Sequence, residues 1–440
     1  MPDNVSLKSL LSPGLTSVGG NLVQKTKGDK TIWAIVIILT LASLLLVYSS
    51  TGSLAYRMSR SNESYLFKQF AFIVLGLLII YFAHRINYSL YSRVAPYLFI
   101  ASLILLAYTL LFGVELNSGS RWIKLPVINM TFQTSDLAKL ALFIFLSRQL
   151  SRKQKIIKDF KKGFLRIISP VVLICLLIAP ANLSTAMLIF GTSLMLMFIG
   201  RVSAKHIGIT LLFASIPVII LVSTAMATYD HSTGESKKLP SIISAGRIPT
   251  WISRVQTYIY GKKDADNEKL YQINQAKIAI ANGGWLGKGP GNSQQRNFLP
   301  HSYSDFIYAI ILEEYGFIGG AIMIGIYLLF LFRCIRIFRK CPYAFGAFLA
   351  LALSFTLVIQ AMANMGVNVG LFPNTGVTLP LVSMGGSSFL FTCLAIGIIL
   401  SVARNVEQQE GKLAPAIVEN KPDVESETEP EGESDAEPGK

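Results

Sequence analysis

The chain has 440 residues, of which 52% are apolar and only 15% are charged, whereas ordinary soluble domains carry about 25% charged residues. Its apolar residues fall into blocks that approach the roughly 20 residues a helix needs to cross the hydrocarbon core of a bilayer. The composition therefore excludes a soluble globular protein and predicts an all-α polytopic membrane protein.

The net charge of +15 combines two opposite parts. Residues 406–440 hold 11 acidic and 3 basic side chains, which leaves 37 basic and 14 acidic side chains in residues 1–405. A basic membrane body suits anionic lipid headgroups or a polyanionic substrate. Nucleic acid is disfavoured as a partner because no soluble basic domain is available to bind it.

Ten membrane spans are predicted, with boundaries good to about 2–4 residues. They cover residues 31–50, 66–84, 94–113, 133–149, 165–180, 183–200, 205–226, 304–333, 343–365 and 381–403. Residues 1–30 form a polar N-terminal segment without the features of a cleaved signal peptide, so the first span is expected to be retained. Pro180 and Asn182 favour a tight hairpin between spans five and six, because proline ends a helix and asparagine caps one.

The short loops predict the orientation. Residues 148–166 and 333–340 are rich in Lys and Arg, while the loops around Pro180 and Pro373 carry no charge. The positive-inside rule places the basic loops in the cytoplasm. Both termini are then cytoplasmic, and the polar insert 227–304 between spans seven and eight lies outside the membrane. The four cysteines are expected to pack within the protein, without disulfides.

Near the fourth span, Gly119-Ser-Arg121-Trp122 precedes a helix start that contains Asp136 and Lys139. Trp122 has a simple interpretation as an interfacial aromatic residue. Asp136 and Lys139 are spaced to pair on one helix face, either as a snorkelling interfacial pair or as part of a polar substrate cavity. The cavity is favoured because ionisable residues within spans are usually functional.

The insert 227–304 concentrates polar chemistry. Arg254 offers a planar fork for phosphate oxygens, and a turn ten residues later carries Asp264 and Asp266, between which the residues alone do not choose. Residues 268–281 predict a helix with one apolar side, which suits the membrane surface. The glycine-rich run 287–293 permits close backbone approach to a ligand, but it follows a helix and is therefore not a nucleotide loop.

Residues 364–388 contain two prolines and five glycines between two apolar spans. Such a segment implies non-helical backbone at membrane depth, which is tolerated only when it is buried in protein or lines a cavity. We therefore predict a structured re-entrant wall. Residues 406–440, in contrast, alternate Glu with Pro, Gly and Ser, and they are predicted to form a disordered acidic cytoplasmic tail.

Together these motifs resemble the SEDS proteins, the shape, elongation, division and sporulation family that includes RodA and FtsW. The resemblance covers about residues 30–405, and the Asn364 to Ser388 pattern looks more like the FtsW division branch than the RodA elongation branch. The chain departs from the family pattern in Asp136, where glutamate is common, in Pro180-Ala-Asn182, which has no carboxylate, and in Tyr303-Ser-Asp305, which lacks a histidine.

The resemblance implies a ten-span peptidoglycan glycosyltransferase that polymerises lipid II outside the cytoplasmic membrane, at the division septum for the FtsW branch. The implied partners are lipid II, the growing glycan strand, a class B penicillin-binding protein transpeptidase, other cell-division membrane proteins and membrane lipids. The family's essential aspartate follows an arginine by ten residues, and this register selects Asp264 over Asp266.

The implied reaction is an inverting glycosyl transfer with Asp264 as general base and undecaprenyl pyrophosphate as leaving group. Arg254, Lys277, Lys288 and Arg121 are candidates for neutralising the pyrophosphate, and a divalent cation such as Mg or Mn could share that work. No His, Cys and carboxylate cluster has structural-metal spacing. The rivals are a lipid II flippase and a non-catalytic division scaffold. The residues expected to bind substrate are Arg254, Arg121, Trp122, Asp136, Lys139, Gln272, Lys277, Lys288, Asn292, Ser293, Asn364, Ser383, Gly385, Gly386, Ser387 and Ser388.

Overall fold

A computed structural model of the chain describes residues 28–51, 62–116, 119–124, 131–229, 248–260, 268–299, 302–373 and 376–419. Twelve α-helices lie within these ranges. They are α1 (Lys30–Ser50), α2 (Asn62–Arg85), α3 (Tyr88–Phe112), α4 (Thr134–Arg152), α5 (Leu165–Ile178), α6 (Leu183–Ile199), α7 (Ala204–Ala227), α8 (Ile248–Tyr260), α9 (Glu268–Gly283), α10 (Ile307–Lys340), α11 (Ala344–Asn368) and α12 (Ser387–Glu419).

Ten of these helices correspond to the ten predicted spans. Seven of them, α1, α2, α3, α7, α10, α11 and α12, are long and apolar enough to cross a membrane on length and composition alone. The other three fall short for identifiable reasons. The helix α4 carries four charged residues, α6 has 17 residues, and α5 has 14 residues but continues from a π-helix at Phe160–Phe164. The prediction of an all-α polytopic membrane fold is confirmed.

The remaining two helices, α8 and α9, belong to the insert between α7 and α10. The helix predicted at residues 268–281 is present as α9, whereas α8 was not predicted. A small antiparallel sheet, which the sequence did not predict, precedes α4. Its strands are β1 (Val114–Leu116), β2 (Gly119–Lys124) and β3 (Thr131–Gln133), in the order β1-β2-β3. Trp122 pairs with Val114 on one side and with Gln133 on the other. The sheet therefore leads the chain directly into α4.

The turn between α5 and α6 is the hairpin predicted from Pro180 and Asn182. The helix α5 ends at Ile178, and the Asn182 side chain caps α6 by accepting a hydrogen bond from the Thr185 N–H at 3.3 Å. The cysteines are all free thiols, as predicted. Cys334, however, lies buried within α10 rather than in a loop, because that helix continues to Lys340.

The helix α11 is the centre of the bundle. In its most apolar stretch 89% of the residues are buried, against 72% in α12 and 6% in α7. Most buried residues of α11 are small or branched apolar residues, among them Leu349, Leu353 and Ala361. In contrast, α7 exposes most of its surface, which leaves it at the edge of the bundle.

One end of the bundle, here called the basic end, carries the turns that join α2 to α3, α4 to α5, α6 to α7, and α10 to α11. Arg333 donates from Nη2 to Asp29 Oδ2 at 2.6 Å, and Asp29 also caps the start of α1. The Glu407 carboxylate accepts from the Gly28 N–H at 2.8 Å. The opposite end, here called the insert end, carries the end of α1 and the starts of α10 and α12.

The last helix does not stop where the sequence predicted. The tenth span was expected at 381–403 and disorder from 406 onward, but α12 begins at Ser387 and runs to Glu419. The early start fails because residues 376–386 are non-helical. The helix continues past 405 because Val406 is buried and Glu407 is anchored to Gly28. The predicted disorder of the remaining acidic residues falls at 420–440, outside the described residues.

Candidate functional site

The segment predicted as a wall joins α11 to α12 and is non-helical at residues 369–373 and 376–386. Four of its described residues, Gly370, Gly376, Leu381 and Gly386, have positive φ angles. Its backbone is held from the surrounding helices: the Tyr327 hydroxyl donates to the Pro380 carbonyl at 2.5 Å, and the Ser43 hydroxyl donates to the Val382 carbonyl at 2.8 Å. The wall is therefore a fixed surface at the insert end.

Two asparagines of α11 fasten this wall to the start of α10. Asn364 donates from Nδ2 to the carbonyls of Asp305 (2.9 Å) and Val377 (2.7 Å). Asn368 donates to the same Asp305 carbonyl at 3.0 Å and accepts from the Ala309 N–H at 3.0 Å. Asn364 was predicted to bind substrate. In the structure its amide donates hydrogen bonds to two backbone carbonyls that have no partner in a helix or strand.

Ser383 has a similar part. Its hydroxyl donates to the Ser304 carbonyl at 2.6 Å and accepts from the Leu379 N–H at 2.8 Å. In the same segment the Tyr303 carbonyl accepts from the Met384 N–H at 3.0 Å. Burial, with smaller contributions from Tyr65 and Asp305, raises the pKa of Tyr303, so this phenol stays protonated. Ser383 therefore helps to hold the wall in place, and its role in substrate binding stays a prediction.

A small, partly open cavity lies between α4, α11 and α12. Its polar lining comes from Asp136, Lys139 and Ser388, with two threonines further along. The deeper lining is apolar and consists of Leu140, Phe143, Leu353, Leu357, Phe391 and Ala395. Of the two interpretations of Asp136 and Lys139, the interior cavity is the one that the geometry supports.

Within this cavity Lys139 is held by two oxygens. Its Nζ lies 2.8 Å from Gln360 Oε1 and 3.4 Å from Asp136 Oδ1. Gln360 in turn donates from Nε2 to the carbonyl of Thr378 in the wall at 3.0 Å. Gln360 was not predicted as a site residue, because one amide in an apolar span carries no distinctive pattern. It connects the charged pair to the wall.

The segment Gly385–Ser388 joins the wall to the start of α12. Ser387 accepts at Oγ from the Gln133 N–H at 3.2 Å, which joins the start of α12 to the end of β3. Gly386 has φ +51°, and the space where its side chain would stand is open. Ser388 lines the cavity. Of these predicted substrate-binding residues, Gly386 and Ser388 therefore face free space, whereas Ser387 is engaged with β3.

A break in α10 forms a second feature at the insert end. Gly316 has φ +66° and ψ −168°, which interrupts the helix. The carbonyls of Glu313 and Glu314 accept from the N–H groups of Lys288 (3.0 Å) and Gly289 (2.9 Å). In return, the N–H of Phe317 donates to the Gly284 carbonyl at 2.9 Å. Main-chain hydrogen bonds thus join the segment 284–289 to α10 at its break.

Three further residues that were predicted to bind substrate have their side chains near this break. Glu313 is fully buried and accepts from the Ser293 hydroxyl at 2.5 Å, while Lys288 Nζ lies 3.6 Å from its carboxylate. Asn292 donates to the Lys288 carbonyl at 3.0 Å. Lys288, Asn292 and Ser293 were predicted to bind substrate. In the structure Lys288 and Ser293 contact the buried Glu313 carboxylate, whose charge must be paired and hydrogen-bonded, and Asn292 contacts the Lys288 main chain. Neither Glu313 nor its neighbour Glu314, which accepts from Ser49, was predicted.

The insert helices reach the beginning of the wall. In α8, the Tyr258 hydroxyl donates to the Leu371 carbonyl at 2.9 Å, and Arg254 lies half-buried one turn earlier. In α9, Gln272 is buried, while the exposed Lys277 approaches Gly370. Arg254 and Lys277 are therefore on two helices that meet the same stretch of wall.

The remaining predicted residues are only partly described. Trp122 is half-buried in β2, whose backbone also includes Arg121, and β2 pairs with the strand that enters α4. Asp264, the predicted general base, and Asp266 lie outside the described residues. Within the ranges that the structure describes, no group of three or more His, Cys, Asp or Glu side chains converges as a metal site would.

Comparisons with known proteins agree with this architecture. The family model described as "Cell cycle protein", which covers FtsW, RodA and SpoVE, matches residues 29–408. A "Probable peptidoglycan glycosyltransferase FtsW" of Hydrogenovibrio crunogenus is 32% identical over 395 residues, 88% of this chain and 94% of that protein. "Stage V sporulation protein E" of Bacillus subtilis is 32% identical over 387 residues, 87% of this chain and 98% of that protein.

Two solved structures share the fold. A chain from a study titled "Structural coordination of polymerization and crosslinking by a peptidoglycan synthase complex" has a TM-score of 0.66 at 24% identity, covering 87% of this chain and 99% of its own. The rod shape determining protein RodA of Thermus thermophilus has a TM-score of 0.58 at 23% identity, covering 86% and 97%. With the family model spanning residues 29–408, the chain belongs to the cell cycle protein family of FtsW, RodA and SpoVE, which is the SEDS family that its motifs predicted.

Proposed function

We propose that this multi-pass membrane protein is a peptidoglycan glycosyltransferase that polymerises lipid II into glycan strands. The observation that carries the proposal is the 32% identity, over 88% of the chain, to a protein named a probable peptidoglycan glycosyltransferase FtsW. The family relationship supports the enzyme over the flippase and the scaffold. The similarity to both FtsW and the sporulation protein supports a role in septal wall synthesis, with the protein at the division septum.

The proposed reaction is an inverting transfer. Asp264 removes the proton from the 4-hydroxyl of the acceptor GlcNAc, whose oxygen attacks the anomeric carbon of the donor MurNAc, and the bond to undecaprenyl pyrophosphate breaks. General-base assistance contributes about 10²–10⁴-fold, so positioning and charge neutralisation at the leaving group supply the rest. Arg254 and Lys277 are the best candidates for that charge, since Lys288 is committed to Glu313. Arg121 and a divalent cation remain further candidates.

The geometry supports a site between the insert and the wall. Tyr258 in α8 and Lys277 in α9 both touch the beginning of the wall, and the segment 261–267 connects these two helices in sequence. Ser388, which lies just after the other end of the same wall, lines the charged cavity. A lipid-linked sugar bound at the wall could therefore reach both the insert and the cavity.

The orientation and partners follow the same reasoning. The described turns with most Lys and Arg gather at the basic end, which we assign to the cytoplasm together with both termini. The insert end then faces outward, where lipid II is consumed. We further propose a class B penicillin-binding protein as partner, because a peptidoglycan synthase complex contains a chain of the same fold. Other cell-division membrane proteins and membrane lipids complete the proposed contacts.

The test compares two neighbouring carboxylates. Purified protein in detergent or liposomes is given lipid II, and glycan chains are separated by length. Asp264→Asn is expected to reduce polymerisation at least about a hundredfold, the lower bound for losing a general base. Asp266→Asn is the matched control and is expected to retain activity. If Asp264→Asn polymerises lipid II at the parent rate, the assignment is wrong. If the parent protein moves lipid II across liposomes without forming chains, it is a flippase.

A further inference from the structure

One carboxylate oxygen in the cavity has no partner of its own. Asp136 is only 5% exposed, and its Oδ1 faces Lys139 at 3.4 Å. Its Oδ2 is fully buried and makes no hydrogen bond. A buried carboxylate oxygen without a donor costs free energy. Since Asp136 lines the cavity, a ligand that enters there can supply the missing donor.

The reason that Lys139 leaves this oxygen open lies in Gln360. The amide of Gln360 has one orientation that suits both neighbours: its NH₂ group faces the Thr378 carbonyl at 3.0 Å, and its oxygen faces the Lys139 ammonium at 2.8 Å. The flipped amide would set oxygen against oxygen and NH₂ against ammonium. The wall therefore orients Gln360, and Gln360 draws the ammonium toward itself and away from Asp136.

The charge of the cavity indicates what kind of ligand fits. Asp136 and Lys139 together are neutral, and the only other polar side chains in the lining are the hydroxyls of Ser388, Thr356 and Thr392. A pyrophosphate would meet the buried carboxylate at short range, where like charges repel strongly. A neutral hydroxyl or amide N–H instead supplies the donor that Asp136 Oδ2 lacks. Sugar hydroxyls and N-acetyl groups have this chemistry.

We propose that Asp136 Oδ2 is the acceptor for a hydroxyl or amide N–H of the sugar part of the lipid-linked substrate, and that Gln360 is the positioning residue that keeps this acceptor free. The proposal rests on the proposed function, since it takes lipid II as the ligand. It assigns the cavity to the sugar part of the substrate, and it leaves the pyrophosphate to the cations of the insert.

The test is Gln360→Leu, which retains the size of the side chain and removes both hydrogen bonds. Lys139 then turns fully to Asp136 and occupies the acceptor. The affinity for lipid II, measured by binding and as KM, is expected to weaken about tenfold, the loss typical of one hydrogen bond to a charged group. The kcat is expected to change less than about threefold, because a uniform binding contact is lost.

Two further measurements separate this role from a general loss of structure. In a double-mutant cycle, Gln360→Leu should add less than about twofold when Asp136→Asn is already present, because contacting residues that act together are not additive. Undecaprenyl pyrophosphate, which has no sugar, should bind Gln360→Leu as well as it binds the parent. The matched control is Gln154→Leu, which breaks an amide bridge from α4 to the Gly200 carbonyl at the basic end and should leave lipid II affinity unchanged.

The possible results separate this proposal from the proposed function. Additive effects in the cycle, or equal weakening of undecaprenyl pyrophosphate binding, overturn the assignment of Asp136 to the sugar. A parent protein that binds lipid II without polymerising it contradicts the glycosyltransferase activity, while the binding measurements on Gln360→Leu still decide this proposal. A parent protein that polymerises lipid II, with no change of lipid II affinity in Gln360→Leu, contradicts only the positioning role of Gln360.

Discussion

At the scale of single residues, polar side chains within the spans divide into two groups. Asn364 and Ser383 form hydrogen bonds with the backbone of the wall and of the residues before α10. Asp136 and Lys139 instead face a cavity. The sequence predicted all four as substrate contacts, because a polar residue in an apolar span is usually functional. It could not separate the groups, since a non-helical segment inside a membrane protein also needs polar partners, and the sequence does not show which side chains supply them.

The glycines of the insert were interpreted correctly in one respect. Residues 287–293 were expected to permit close backbone approach to a ligand. A close approach occurs at Gly287, where the partner is the broken helix α10. A side chain on Gly287 would stand 2.2 Å from the Glu314 carbonyl oxygen, and one on Gly316 would stand 2.4 Å from that of Trp285. The adjacent acidic pair Glu313 and Glu314, directly before Tyr315 and Gly316, is the signal that could have indicated a buried junction.

Gly316→Ala is expected to destabilise the protein. The substitution places a β-carbon against the Trp285 carbonyl at a residue whose φ of +66° already disfavours any side chain. The free energy of unfolding should fall by about 2–4 kcal/mol, measured by denaturant titration in detergent. Gly325→Ala, in the same helix with open space around the added carbon, is the control and should change it by less than about 1 kcal/mol. Equal losses in both variants would contradict the role of the break.

At the scale of elements, the helices of the insert are attached in two different ways. The segment 284–289, which follows α9, is bonded to α10 through main-chain groups on both sides of the break. The helix α8 is attached to the end of α7 by side chains. Gln256 donates to the Ala225 carbonyl at 2.9 Å, and the rings of Tyr229 and Tyr260 stack at 4.1 Å. Because α7 is itself poorly buried, α8 rests on the least anchored span.

Gln256→Leu is therefore expected to loosen α8 and little else. Loss of this buried hydrogen bond costs about 1 kcal/mol, so amide hydrogen exchange in Ile248–Tyr260 should become roughly five- to tenfold faster. Exchange in α11, at the centre of the bundle, should stay unchanged. Gln154→Leu at the basic end is the control for removal of a bridging amide. Uniform acceleration across all helices would show that Gln256 serves global stability instead.

At the scale of the whole molecule, apolar blocks and loop charges were sufficient to predict ten spans and their order, because the bilayer imposes the length and composition of each helix. The spans α4, α5 and α6 were recognised despite their charges or short lengths. The small sheet was missed because its strands have three to six residues and no alternating pattern. The end of the last helix was misplaced because the burial of Val406 and the contact of Glu407 with Gly28 extend it past the apolar region.

The orientation of the bundle can be tested by cysteine labelling. In a variant with the four native cysteines replaced, Asn292→Cys at the insert end and Lys158→Cys at the basic end are both on exposed positions. A membrane-impermeant thiol reagent applied to whole cells, with access through the outer envelope, should label Asn292→Cys. It should label Lys158→Cys only after the cytoplasmic membrane is opened. The reverse pattern would contradict the assignment of the basic end to the cytoplasm.

The break at Gly316 also bears on how the two parts of the insert can vary among relatives. Main-chain hydrogen bonds hold the segment 284–289 to α10, so most side chains there can change without loosening that junction, provided the glycines remain. The attachment of α8 depends instead on the identity of Gln256, Tyr229 and Tyr260. Single substitutions can therefore change how firmly α8 is held, while the segment 284–289 keeps a fixed geometry.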